Sequence, residues 1–119
     1  MSAIFITRGI DYCLFCYSID TFNKISNKLN ELPFTKKDAR DFNRFFMSGA
    51  TNVELDKQGR INISPVLINY AHLIKDCVII GTGDRIEIWS SDNWESFFNS
   101  TKDIMSDIAE NLFNESVNL

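Results

Sequence analysis

The sequence predicts an α+β fold built on a doubled strand–strand–helix unit with further helices at its flanks. The first observation is a self-match. Sliding the 119-residue chain along itself by 72 positions lays residues 6–9 on 78–81 and residues 14–18 on 86–90 without a gap, with Gly9 on Gly81, Asp20 on Asp92 and Phe22 on Trp94. The second is that each matched stretch reads as strand, Gly-containing turn, strand ending in an aromatic, then Ser. The third is a change after each Ser to apolar residues three and four apart, the period of a helix.

Taken in order, Ser18 stands where an N-cap belongs, because its hydroxyl can accept a free N–H of a first turn. Phe22, Ile25, Leu29 and Leu32 then line one helical face, and Pro33 breaks the helix. Thr35 with Asp38 three residues on predicts the opening of a second helix, carrying Ala39, Phe42, Phe45 and Phe46 and closed by Gly49. Val53 and Leu55 set against Ile61 and Ile63 predict a hairpin of strands 53–55 and 60–63, with Gly59 supplying the positive φ of its turn. Ser64-Pro65 is an N-cap followed by Pro at the first helical position, and Val66, Leu67 and Tyr70 continue a short helix. The second copy of the repeat follows, with Ser90 as its cap and Trp94, Phe97 and Phe98 on its helix. A last helix carries Ile104, Met105, Ile108, Ala109 and Leu112. This division assigns 1–32 to a partial first repeat, 33–50 to a connecting helix and 51–119 to a complete second repeat. The counterpart of Asp56 in the first copy would precede residue 1, so the chain is expected to begin inside its first repeat.

Composition narrows the function classes. No apolar run approaches the ~20 residues of a membrane helix, and the N-terminus lacks the basic region and cleavage site of a secretory leader. Three Cys, an odd number, fit a reducing compartment, so a cytoplasmic protein is expected. The net charge of -4 argues against a uniformly basic nucleic-acid binder, but a local basic strip can still meet phosphates when the acids lie elsewhere.

Catalytic and metal signals are weak. Cys13 and Cys16 have C-x-x-C spacing, yet only Cys77 and His72 could complete a four-ligand set, so buried thiols are the expectation. Gly81-Thr82-Gly83-Asp84 is followed by a strand and lacks the helix N-terminus of a phosphate loop. His72 is the sole His and stands near no nucleophile motif. Trp89 and Trp94 match Tyr17 and Phe22 in the repeat, which points to packing rather than base stacking. No enzyme, cofactor, metal or small-molecule substrate is expected.

The candidate site is Asp56, Lys57, Gln58 and Arg60 around Gly59. Arg60 offers a planar fork suited to a phosphate or to the two acceptors of a guanine edge. Lys57 adds a point charge, Gln58 both donates and accepts, and Asp56 is suited to accept local backbone N–H groups or to orient Arg60. An ordinary hairpin turn with solvated charges is the alternative reading. A second basic group comprises Lys36, Lys37, Arg40 and Arg44, of which Lys37, Arg40 and Arg44 share a helix face. It is suited to phosphates or to acids of a neighbouring subunit, and equally to plain solvation. The role of Arg8 stays open.

Several runs resemble the MraZ family of bacterial regulators: residues 6–11 (ITRGID), 37–40 (KDAR), 45–51 (FFMSGAT), 53–61 (VELDKQGRI) and 85–89 (RIEIW), in order along essentially the whole chain. The resemblance implies a double swapped-hairpin β-barrel of the AbrB/SpoVT type with flanking helices. It also implies assembly into a homo-oligomeric ring and binding of double-stranded DNA through an Asp-x-x-x-Arg motif from each half, at promoter-proximal direct repeats of the division and cell-wall gene cluster. Association with the nucleoid follows from that role. One such motif is present, Asp56 to Arg60. The alternative is an oligomeric assembly protein with weak or no DNA binding, since an open barrel edge could pair with another chain.

Overall fold

The computed structural model of the chain describes residues 3–113. Two strands, β1 (Ala3–Arg8) and β2 (Leu14–Tyr17), lead into α1 (Ile19–Asn30). After α2 (Lys37–Ser48) come β3 (Thr51–Glu54) and α3 (Pro65–Ala71). β4 (Cys77–Gly81), β5 (Ile86–Ser90) and α4 (Ser91–Thr101) follow. A 3-10 turn (Lys102–Ile104) and α5 (Met105–Leu112) complete the described residues.

The repeat is visible as structure. Thr21 N–H donates to Ser18 Oγ (3.2 Å) at the start of α1, and Asn93 N–H donates to Ser90 Oγ (3.0 Å) at the start of α4. The two caps and their partners are equivalent positions of the repeat. All strand pairings are antiparallel, and the sheet order is β3-β1-β2-β5-β4. The repeats meet at the centre, where Leu14 pairs with Ile88, Phe15 with Glu87 and Cys16 with Ile86. Phe15 and Glu87 are themselves repeat equivalents, so a local two-fold axis passes between them. β3 belongs to the second repeat yet pairs with β1 of the first, Val53 opposite Ile4 and Thr51 opposite Ile6.

Period-two alternation gives the sheet two buried faces. On one, Ile6, Leu14, Cys16 and Ile88 pack against Leu67 and Ala71 of α3, with Val53, Ile61 and Ile63 at the margin. On the other, Cys13, Phe15, Tyr17 and Trp89 pack against Phe22 of α1 and Phe46 of α2. The rings of Phe22 and Phe46 stack 6.1 Å apart, and Phe22 stacks on Phe5 at 4.1 Å. Thr7 and Ser90 are the buried polar residues among those described, the Thr7 hydroxyl donating to the carbonyl of Phe46 and the Ser90 hydroxyl accepting from Asn93 N–H.

Three expectations are corrected. Residues 60–63 form no strand. β3 gives its ladder bonds to β1, and Ile61 and Ile63 reach the core through side chains alone. The strands run in the order β3-β1-β2-β5-β4, with β3 and β4 at its two ends. Thr35 does not cap α2. Lys36 N–H donates to the Pro33 carbonyl (3.0 Å), which folds Thr35 into a turn, and Lys36 becomes the N-cap without a side-chain bond. Leu32 lies outside α1, because the helix tightens to three-residue bonds at Glu31 and Leu32 just before Pro33.

Gly9 is buried, and a Cβ there would sit 2.7 Å from the Phe15 ring and 2.9 Å from Cys13 Sγ. Gly9→Ala is expected to destabilise the fold by about 1–3 kcal/mol through overpacking. Ser18→Ala, which removes only a cap, is expected to cost about 1 kcal/mol. Urea unfolding of both variants checks the order.

Candidate nucleic-acid interface

The loop after β3 is held by its own aspartate. Asp56 N–H donates to the Arg60 carbonyl (2.9 Å), and Gly59 N–H donates to the Asp56 carbonyl (3.0 Å) with Gly59 at φ 77°. The Asp56 carboxylate accepts from Gln58 N–H (2.9 Å) and Arg60 N–H (2.8 Å) through Oδ1, and from Arg60 Nε (2.9 Å) through Oδ2. Those bonds hold its carboxyl below the usual carboxylate range, the Arg60 backbone N–H contributing most and the partial burial of the carboxylate opposing. The Arg60 side chain stays 73% exposed, so the carboxylate fixes the inner edge of the guanidinium and leaves the outer nitrogens facing solvent.

Asp56, Lys57, Gln58 and Arg60 therefore share one exposed loop. Lys37 and Arg40 do not join it; they lie on α2 in a network of their own. Lys37 and Arg44 both pair with Asp41, and Arg40 donates to the Phe34 carbonyl (3.0 Å). The Lys37 hydrogen bond holds Asp41 below its ordinary value. This face is already neutralised in part, and exposed pairs of this kind contribute little to stability.

Two neighbours of Arg60 were missed from sequence. Glu54 and Asn62 border a hollow of about 410 Å³ together with Asp56, Arg60 and Ile61. The signal was the alternation in strand 53–55, which puts Glu54 outward, on the side opposite Val53 and Leu55. Arg8, whose role was open, is a strut. Its Nη1 donates to the Phe45 carbonyl (3.0 Å) and to Ser48 Oγ (2.8 Å), and its guanidinium lies over the rings of Phe45 and Tyr70. It thus ties β1 to the last turn of α2, where an orphan carbonyl needs a donor.

The C-x-x-C pair is split across the sheet. Cys13 lies in the cluster against α1 and α2, and Cys16 in the one against α3. Burial pushes the Cys13 thiol up to about 12, helped by the charges of Glu87 and Asp11, and the Cys16 thiol up to about 11. Sulfurs on opposite faces cannot share a ligand. Trp89 is buried and packs edge-on to Trp94 at 5.5 Å. Among the described residues, no helix is long and apolar enough to cross a membrane.

Fold and loop define a duplicated α+β domain, two like units sharing one sheet, with an aspartate-anchored arginine loop at its surface. The chain belongs to the MraZ family: the family described as MraZ protein, antitoxin-like, matches it in two segments, residues 2–45 and 46–115.

Two outcomes follow. Asp56 is expected to titrate below the ordinary carboxylate value of 3.8 in an NMR pH series of its carboxyl carbon. Because its folded pKa is depressed, its contribution is present above that value and is lost only as pH falls through the folded pKa. In native thiol titration Cys77, the exposed cysteine, reacts, whereas Cys13 and Cys16 react only after unfolding.

Proposed function

We propose that this chain is a DNA-binding transcription regulator, cytoplasmic and associated with the nucleoid, that presents the 56–60 loop to duplex DNA. The supporting observation is the fixed inner edge and free outer edge of Arg60. A guanidinium oriented before contact loses less conformational freedom on binding a phosphate or a guanine edge than a free one. Lys57 is placed to add a phosphate contact and Gln58 a hydrogen bond from the same loop, while Lys37 and Arg40 would serve a flanking backbone. Asp56 acts by orientation alone, since its own charge and that of Glu54 oppose phosphate.

One loop gives few contacts. Useful affinity then requires a homo-oligomer, a ring in the family resemblance, that sets several loops on direct repeats of the division and cell-wall gene cluster and gains by avidity. We read residues 33–50 as the connector between the first repeat and a second repeat from 51. The pairing of β3 with β1 across the repeats supports a swapped-hairpin arrangement.

Fluorescence anisotropy of the full chain on duplex DNA bearing spaced direct repeats, beside a scrambled duplex and across a salt series, tests the reading. The expected result is specific, salt-steep binding that Arg60→Ala weakens about 10- to 100-fold at matched salt, the effect of losing one base or phosphate fork. Equal affinity of Arg60→Ala and wild type would remove the loop from the interface.

A second reading is an assembly module without DNA binding. It is favoured by the outer edge of β4, residues 77–81, which carries no charge and no Pro and leaves Ile79 68% exposed. Oligomers in sedimentation velocity together with no DNA binding at low salt would support it over the first.

A further inference from the structure

The DNA reading leaves unused a hollow of about 350 Å³ between the turn at residues 9–13, the end of α3 and the start of α4. Asp11, Tyr12, His72, Trp89, Asn93 and Phe97 line it. Among the described residues, every non-glycine with positive φ borders this hollow: Asp11 at 71°, Tyr12 at 59° and His72 at 58°. Two successive positive φ values are ordinarily met by Asp-Gly or Asn-Gly, because a side chain costs free energy there. This turn carries Tyr at the second position, and the surrounding structure is built to hold it.

Several bonds do so. Gly9 N–H donates to the Cys13 carbonyl (2.7 Å), and the Tyr70 hydroxyl donates to the Gly9 carbonyl (2.6 Å). The Asn93 amide nitrogen reaches the Ala71 carbonyl (3.4 Å), the Tyr12 carbonyl (3.5 Å) and His72 Nδ1 (3.1 Å). The result sets the Tyr12 ring against His72 at 5.7 Å and Tyr70 at 5.2 Å while 58% of the residue stays exposed at the rim.

The floor is aromatic. Trp89 and Phe97 lie 5.4 Å apart. The Trp89 indole N–H donates to the Glu87 carboxylate (3.0 Å), and an anionic acceptor there enriches the negative face of the ring. Asp11 is the one carboxylate in the lining, and it makes no ion pair among the described residues. Aromatic faces with one unpaired carboxylate are the chemistry that attracts an organic cation.

We propose that this hollow binds a guanidinium or alkylammonium head group, with Asp11 meeting its charge and the exposed rings of Tyr12 and Phe97 meeting its body. Asp11 is the selective element and Tyr12 the wall whose backbone cost the turn carries. The source is either a free polyamine or an arginine side chain of a partner protein.

The test is a titration of the full chain, followed by tryptophan fluorescence and by the NMR shift of the Trp89 indole N–H. N-acetyl-arginine amide and spermidine are the cationic probes, and N-acetyl-citrulline amide is the neutral isostere. The expected result is saturable binding of a cation at millimolar concentration, weakened by salt, with no saturable response to citrulline. Asp11→Asn keeps a residue type that tolerates positive φ and is expected to weaken binding about five- to tenfold. Tyr12→Gly relieves the turn, so its urea midpoint is expected to hold or rise while binding is lost. Binding of the arginine amide but not spermidine supports a partner's side chain, and the reverse supports a free polyamine. Absence of saturation for both cations, an equal response to citrulline, or unchanged affinity in both variants overturns the proposal.

Discussion

The antiparallel pairing of β2 with β5 is the joint on which the molecule depends. Among the described residues, three pairs, Leu14 with Ile88, Phe15 with Glu87 and Cys16 with Ile86, are the strand-to-strand seam between the two hairpins. Neither two-stranded hairpin would be stable in water alone. Joined, they make a four-stranded core whose faces are wide enough to seat α1 and α2 on one side and α3 on the other. The position of the axis at Phe15 and Glu87 also explains the second face's chemistry. Glu87 accepts from Arg85 and from the Trp89 indole, and Arg85 lies over the Phe15 ring at 4.4 Å, so a charged residue is accommodated at the centre of the sheet.

The halves are alike in backbone and unlike in cover. Phe22 of α1 is buried because α2 lays Phe46 over it, whereas its counterpart Trp94 is only half-buried among Phe97 and Phe98. In the same way α3, with Ile61 and Ile63, covers the face over β1, while Ile79 and Ile86 on β4 and β5 remain exposed. Four of the acids are paired locally, Asp56 by Arg60, Asp41 by Lys37 and Arg44, Asp84 and Glu87 by Arg85.

Much of this was legible in the chain itself. The 72-residue offset found the equivalent hairpins, and both serine caps follow from local chemistry that any chain must satisfy at a helix start. The Asp56 loop was equally readable, since an aspartate two and four residues before free N–H groups folds back on them whatever the rest does. What escaped was decided at long range. Alternation at Ile61 and Ile63 signals burial, but not whether a neighbouring strand is free to pair, and β3 was already committed to β1. Thr35 and Asp38 have capping spacing, yet Pro33 captured Lys36 first. The hollow beside Tyr12 draws on the first hairpin, α3 and α4, residues up to 86 positions apart, and no local pattern announces it.

The crossing of β3 onto β1 has a consequence for synthesis. When residue 30 leaves the ribosome, β1 lacks its outer neighbour until Thr51–Glu54 emerge, and β2 lacks its inner one until Ile86–Ser90 emerge. A nascent chain cut at the repeat boundary therefore holds two strands with bare backbone on both outer sides and no sheet to join. The shared sheet is complete only once Ile86–Ser90 have emerged.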